Sequence, residues 1–65
     1  MSNVQIAIDF VTTSIPNVKS GGVIAFPMFP GATKKDVNQI WNKLQAMDQV
    51  AHVSMNTGFA MIRIK

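Results

Sequence analysis

Cysteine and glutamate are both missing from this 65-residue chain, and His52 is its single histidine. Without cysteine, no disulfide can staple the fold. One imidazole and the scattered Asp9, Asp36 and Asp48 do not make the clustered ligand sets of zinc or calcium sites, so neither a metal nor a cofactor is expected. The same scarcity leaves no pair of carboxylates for acid–base work, which removes glycosidase and phosphotransfer readings. Gly21-Gly22 and Gly31 lack the fixed offsets of a phosphate loop or a dinucleotide fingerprint. No apolar run approaches the roughly 18 residues of a membrane span, and the opening Met1-Ser2-Asn3 lacks the basic and apolar regions of a signal peptide. A cytoplasmic protein without a membrane partner is expected.

Charge is also scarce. Charged residues make up 14% of the chain against the usual quarter, while the hydrophobic share of 48% lies at the top of the globular range. A chain this short forms one domain, here residues 1–65, and folding removes only about 60% of the surface its unfolded form exposes. Small folds usually lean on disulfides, a metal or a second subunit. With the first two absent, a homo-oligomer is expected.

Along the chain, Val4, Ile6, Ile8 and Phe10 alternate with Gln5, Ala7, Asp9 and Val11, which predicts a half-buried strand over 4–13. The stretch 14–22 carries Pro16, Asn17, Ser20 and two adjacent glycines and reads as a loop. Val23-Ile24-Ala25-Phe26, bounded by Gly22 and Pro27, predicts a strand buried on both faces. Thr33 is a good N-cap with Asp36 three residues on, and Val37, Ile40, Trp41, Leu44 and Met47 follow helical spacing. That face places Trp41 in the core. Two further runs, 50–55 and 59–65, flank Asn56-Thr57-Gly58 as a hairpin. Pairing Met55 with Ala60, Val53 with Ile62 and Ala51 with Ile64 gathers the apolar residues on one side and leaves Arg63 on the other. Together these predict an α+β fold of ββαββ type, with one helix on a mainly antiparallel four-stranded sheet ending in a hairpin.

Three places invite a functional reading. Gly31, Thr33, Lys34 and Lys35 gather a glycine, a hydroxyl and two cations at a helix start, where free N–H groups favour an anion. Simple capping by Thr33, with solvated lysines, accounts for the same residues. On the outer side of the hairpin, His52, Arg63 and Lys65 interleave with Phe59 and Met61, and cations beside an aromatic platform can hold single-stranded nucleic acid. Phe26, Met28 and Phe29 crowd a proline-bounded connection and suggest a contact between subunits or with a partner. Catalysis finds no such support. His52 and Ser54 stand two apart on a strand, about 7 Å, with no third group to orient a base.

The expected function is therefore a non-enzymatic, homo-oligomeric protein that binds an anionic partner, nucleic acid first, with the helix start favoured over the hairpin face. The alternatives are capture of a small anionic nucleotide between subunits, and a protein-binding adaptor or inhibitor docking through Met28 and Phe29.

Overall fold

A computed structural model describes residues 2–65; Met1, part of the opening read for a leader segment, lies outside them. The elements run α1 (Asn3–Ser14), a short 3-10 turn (Ile15–Asn17), β1 (Val23–Pro27), α2 (Lys34–Gln45), β2 (Val50–Met55) and β3 (Phe59–Ile64). The strands form one antiparallel sheet in the order β1-β3-β2, so the last strand lies in the middle. The α+β character holds, but the ββαββ order does not. There are two helices and three strands where one helix and four strands were expected.

The difference arises at residues 4–13. The alternation there coexists with a helical repeat, Val4, Ala7 with Ile8, Val11 and Ile15, and the helix wins by burying Ala7 and Val11. Its start is marked by Ser2, whose hydroxyl accepts from the Gln5 N–H at 3.1 Å, the Ser-x-x-Gln pattern of a capped helix start. Gln5 Nε2 then donates to Asp9 Oδ1 one turn on, at 2.9 Å. β-branched residues disfavour helix. The hydroxyls of Thr12, Thr13 and Ser14 find partners by donating to carbonyls one turn back, and Pro16 stops the helix.

Helix α2 forms as its cap predicts, with Thr33 Oγ1 accepting from the Asp36 N–H and the Asp36 carboxylate accepting from the Thr33 N–H. Its buried residues are Ile40 and Leu44; Trp41 is 40% exposed. The expectation of a core tryptophan is therefore overturned. Trp41 lies one residue, about 100°, round the helix from Ile40, at the rim of an apolar arc wider than the contact it makes. Trp41→Ala should accordingly lower stability by about 1–2 kcal/mol, whereas a core tryptophan would cost about 3–5 kcal/mol. Urea titration of the two proteins checks this.

The hairpin pairs Met55 with Ala60 and Val53 with Ile62 as expected, but Val50 rather than Ala51 faces Ile64, because a bulge between Val50 and His52 slips the register by one. Ala51 stays exposed. At the turn, Asn56 Oδ1 accepts from the N–H groups of Gly58 (2.7 Å) and Phe59 (3.0 Å). Strand β1 pairs along β3, Ile24 with Ile62 and Phe26 with Ala60. It is not buried on both faces. Ile24 is buried, while Val23 is 44% exposed and Ala25 is exposed. Both helices lie on one side of the sheet, over Ile24, Val50, Val53, Ala60, Ile62 and Ile64, and among the described residues no helix covers the opposite side.

Candidate nucleic-acid interface

The bare side of the sheet is built by strand alternation and cross-strand register. On the central strand β3, Phe59, Met61 and Arg63 point away from the helices, because Ala60, Ile62 and Ile64 point toward them. Register then adds a neighbour on each side. Arg63 stands between Val23 and His52, Met61 between Ala25 and Ser54, and Phe59 beside Pro27. Lys65 continues the alternation past the strand end, where its N–H donates to the Gln49 carbonyl at 2.9 Å.

Two properties of this face matter chemically. Its apolar residues run along its length: Phe59 at the hairpin end, Met61 in the middle and Val23 beside Arg63 are 47%, 44% and 44% exposed. It is also one-signed at its far end. No acidic residue occurs in β1, β2, β3 or the hairpin turn, because Asp9 lies on α1, Asp36 on α2 and Asp48 between α2 and β2. Arg63 stands about 13 Å along the strand from Phe59. An extended ligand could lay a ring against Phe59 and an anion against Arg63 and Lys65.

The other residues singled out in the sequence fall elsewhere. Thr33 is engaged with Asp36 in the capping box, and the Asp36 carboxylate sits against the helix start. That end of α2 therefore already holds an anion of its own, which lowers its pull on another. Gly31 has φ of +80° in a tight turn closed by the Ala32 N–H donating to the Phe29 carbonyl, so backbone geometry explains both it and Pro30 before it. Lys34 lines a cleft of about 250 Å³ with Val37, Asn38, Asn56 and Thr57, which brings the helix start to the tip of the hairpin. Lys35 is exposed beside it and does not line that cleft. The two lysines and the Arg63–Lys65 pair are thus at different ends of the molecule.

No family model, curated protein or solved structure matches the chain. What the site can do rests on its own chemistry. Among the described residues no three of histidine, cysteine, aspartate or glutamate are grouped to hold a metal ion, and no helix is long and apolar enough to cross a membrane.

Of the proposed contact residues, Met28 is in the core at 8% exposure, its N–H donating to the Gly58 carbonyl. Phe26 and Phe29 are half-buried and line an apolar groove of about 230 Å³ with Ile6, Ala7, Phe10 and Pro27. Ile6 and Phe10 could not be found as part of this groove from a strand reading, which sets them on the same face as Val4. Helical spacing, with Asn3, Ile6 and Phe10 on one flank, was the signal.

Proposed function

We propose that this protein binds single-stranded nucleic acid across the bare face of its sheet and does so without catalysing a reaction. The observation that carries this reading is the central strand: Phe59, Met61 and Arg63 emerge side by side from β3, on a sheet whose strands contain no carboxylate. Bases have flat π-faces that stack on an aromatic ring whatever their sequence, while phosphates need cations within reach. Phe59 provides the platform, Met61 extends its apolar margin toward Arg63, and Arg63, Lys65 and His52 lie where the backbone of the strand would run. A net charge of +3 adds a favourable long-range field.

The sheet face is preferred to the start of α2 because it joins stacking with charge, whereas the helix start offers charge alone beside its own Asp36 carboxylate. An unpaired strand is preferred to a duplex for the same reason, since bases within a duplex are not free to stack on a side chain.

The test is fluorescence anisotropy with a labelled single-stranded oligonucleotide at low salt. Base–aromatic stacking contributes about 1–3 kcal/mol, so Phe59→Ala should weaken binding about tenfold or more. Phe59 is half exposed, so the variant should stay folded. Lys34→Ala with Lys35→Ala should matter less. An equal or larger loss from the lysine pair would move the site to α2.

A further inference from the structure

Strand β1 is an edge of the sheet, and its unpaired side has a specific pattern. The Ile64 N–H donates to the Gly22 carbonyl at one end of the β1–β3 ladder, and the Met28 N–H donates to the Gly58 carbonyl at the other. In an antiparallel ladder, hydrogen-bonded pairs alternate with non-bonded ones. Ile24 and Phe26 therefore bond toward β3, and the backbone groups of Val23, Ala25 and Pro27 point outward. The free edge offers two N–H groups and three carbonyls, Pro27 having no N–H.

The two sides of this edge are apolar. On the helix side runs the groove lined by Ile6, Phe10, Phe26, Pro27 and Phe29, where the Phe10 and Phe26 rings meet edge to face at 5.2 Å. On the bare side lie Val23 and Ala25. Neither the strand nor the groove contains a charged residue, so two copies of a chain with net charge +3 can meet here without opposing like charges. The other edge, β2, is broken by its bulge, a device that discourages strand pairing.

We infer that the occupant of the β1 edge is the β1 strand of a second copy, paired antiparallel about a twofold axis at Ala25. That register matches every outward N–H. Ala25 exchanges two hydrogen bonds with its counterpart, and each Val23 N–H meets the Pro27 carbonyl opposite, so the missing proline N–H leaves only the Val23 carbonyls unpaired. On the helix side Phe26 of each copy stands opposite Ile24 of the other, so the two apolar grooves adjoin across the seam. Two three-stranded sheets become one of six strands, with Ile6 and Phe10 of each copy flanking the seam. This inference goes beyond nucleic-acid binding and does not depend on it.

The test uses the full chain in the absence of nucleic acid. Sedimentation equilibrium at micromolar concentration should give twice the 7.1 kDa chain mass. Ala25→Cys, in a chain with no other cysteine, should form a disulfide-linked dimer under mild oxidation, because directly opposed hydrogen-bonded residues have Cα atoms about 5.5 Å apart, within disulfide reach. Met61→Cys, equally accessible but one strand further from the edge, should not. Ala25→Pro, which removes the central donor, should give the single-chain mass with an unchanged circular dichroism spectrum. A single-chain mass for the parent, or faster cross-linking through Met61→Cys than through Ala25→Cys, would overturn the proposal; the second result would set the copies face to face on their sheets.

Discussion

Truncating Ile62 to alanine should unfold most of the population or bring the domain close to that point. Ile62 is fully buried at the centre of the middle strand, between Ile24 and Val53. Ile→Ala in such a site costs about 2–5 kcal/mol, because the lost transfer energy is joined by the cavity left behind. A 65-residue domain holds only about 3–10 kcal/mol in total. Ile40 and Leu44 press on the same core from α2, and two rigid helices on one sheet have little freedom to collapse into the gap. Ile62→Val, which keeps most of the volume, should cost about 0.5–1.5 kcal/mol. Urea titrations of the three proteins give the comparison. An unchanged midpoint for Ile62→Ala would put the inner face of β3 outside the core.

Reversing the charge at Arg63 should have the largest effect on binding that any surface change can produce. Arg63 is flanked on both sides within the sheet, by Val23 and His52, and no acidic residue of the strands competes for it. The change Arg63→Glu would set a carboxylate against phosphate, and like charges in contact cost several kcal/mol. Affinity at low salt should fall on the order of a hundredfold. The dependence on salt should change with it, since each phosphate contact to a single strand contributes about 0.7 to the slope of log affinity against log salt. Arg63→Glu should therefore flatten that slope by at least this amount, while Phe59→Ala should lower affinity and leave the slope intact. A uniform loss with no change in slope for Arg63→Glu would mean that this side chain meets no phosphate.

The parts of the fold that were legible in the sequence are those set by local chemistry. Thr33 and Asp36 cap α2, Asn56 with Gly58 closes the hairpin, and alternation along β3 separates Ile62 from Arg63. The N-terminal helix was not legible by period alone, because Val4, Ile8 and Val11 suit a helix while Val4, Ile6, Ile8 and Phe10 suit a strand. The deciding clue was Ser2 with Gln5, a cap that no strand needs. Trp41 was misplaced because an apolar residue at helical spacing shows membership of an arc, and the sequence does not say which part of the arc faces inward. The bulge at Ala51 is invisible for a related reason, since only the packed sheet decides which of two adjacent small residues is turned out.

The candidate site was half legible. Phe59, Arg63 and His52 could be grouped from the hairpin alternation, but Val23 and Ala25 join them only because β1 pairs with β3, a long-range choice with no local signal. The Thr33–Asp36 cap at the start of α2 was legible, and the structure adds that the Asp36 carboxylate accepts the Thr33 N–H beside Lys34 and Lys35.

The most direct test of the bare sheet face as a nucleic-acid surface is a two-dimensional NMR titration of the parent protein with a short unlabelled single-stranded oligonucleotide at low salt. The predicted result is that the largest amide and methyl shifts fall on Phe59, Met61 and Arg63, with smaller ones on their partners Val23, Ala25, His52 and Ser54, and little change over α2. A spectrum unchanged at excess oligonucleotide, or shifts confined to Gly31, Thr33, Lys34 and Lys35, would contradict it.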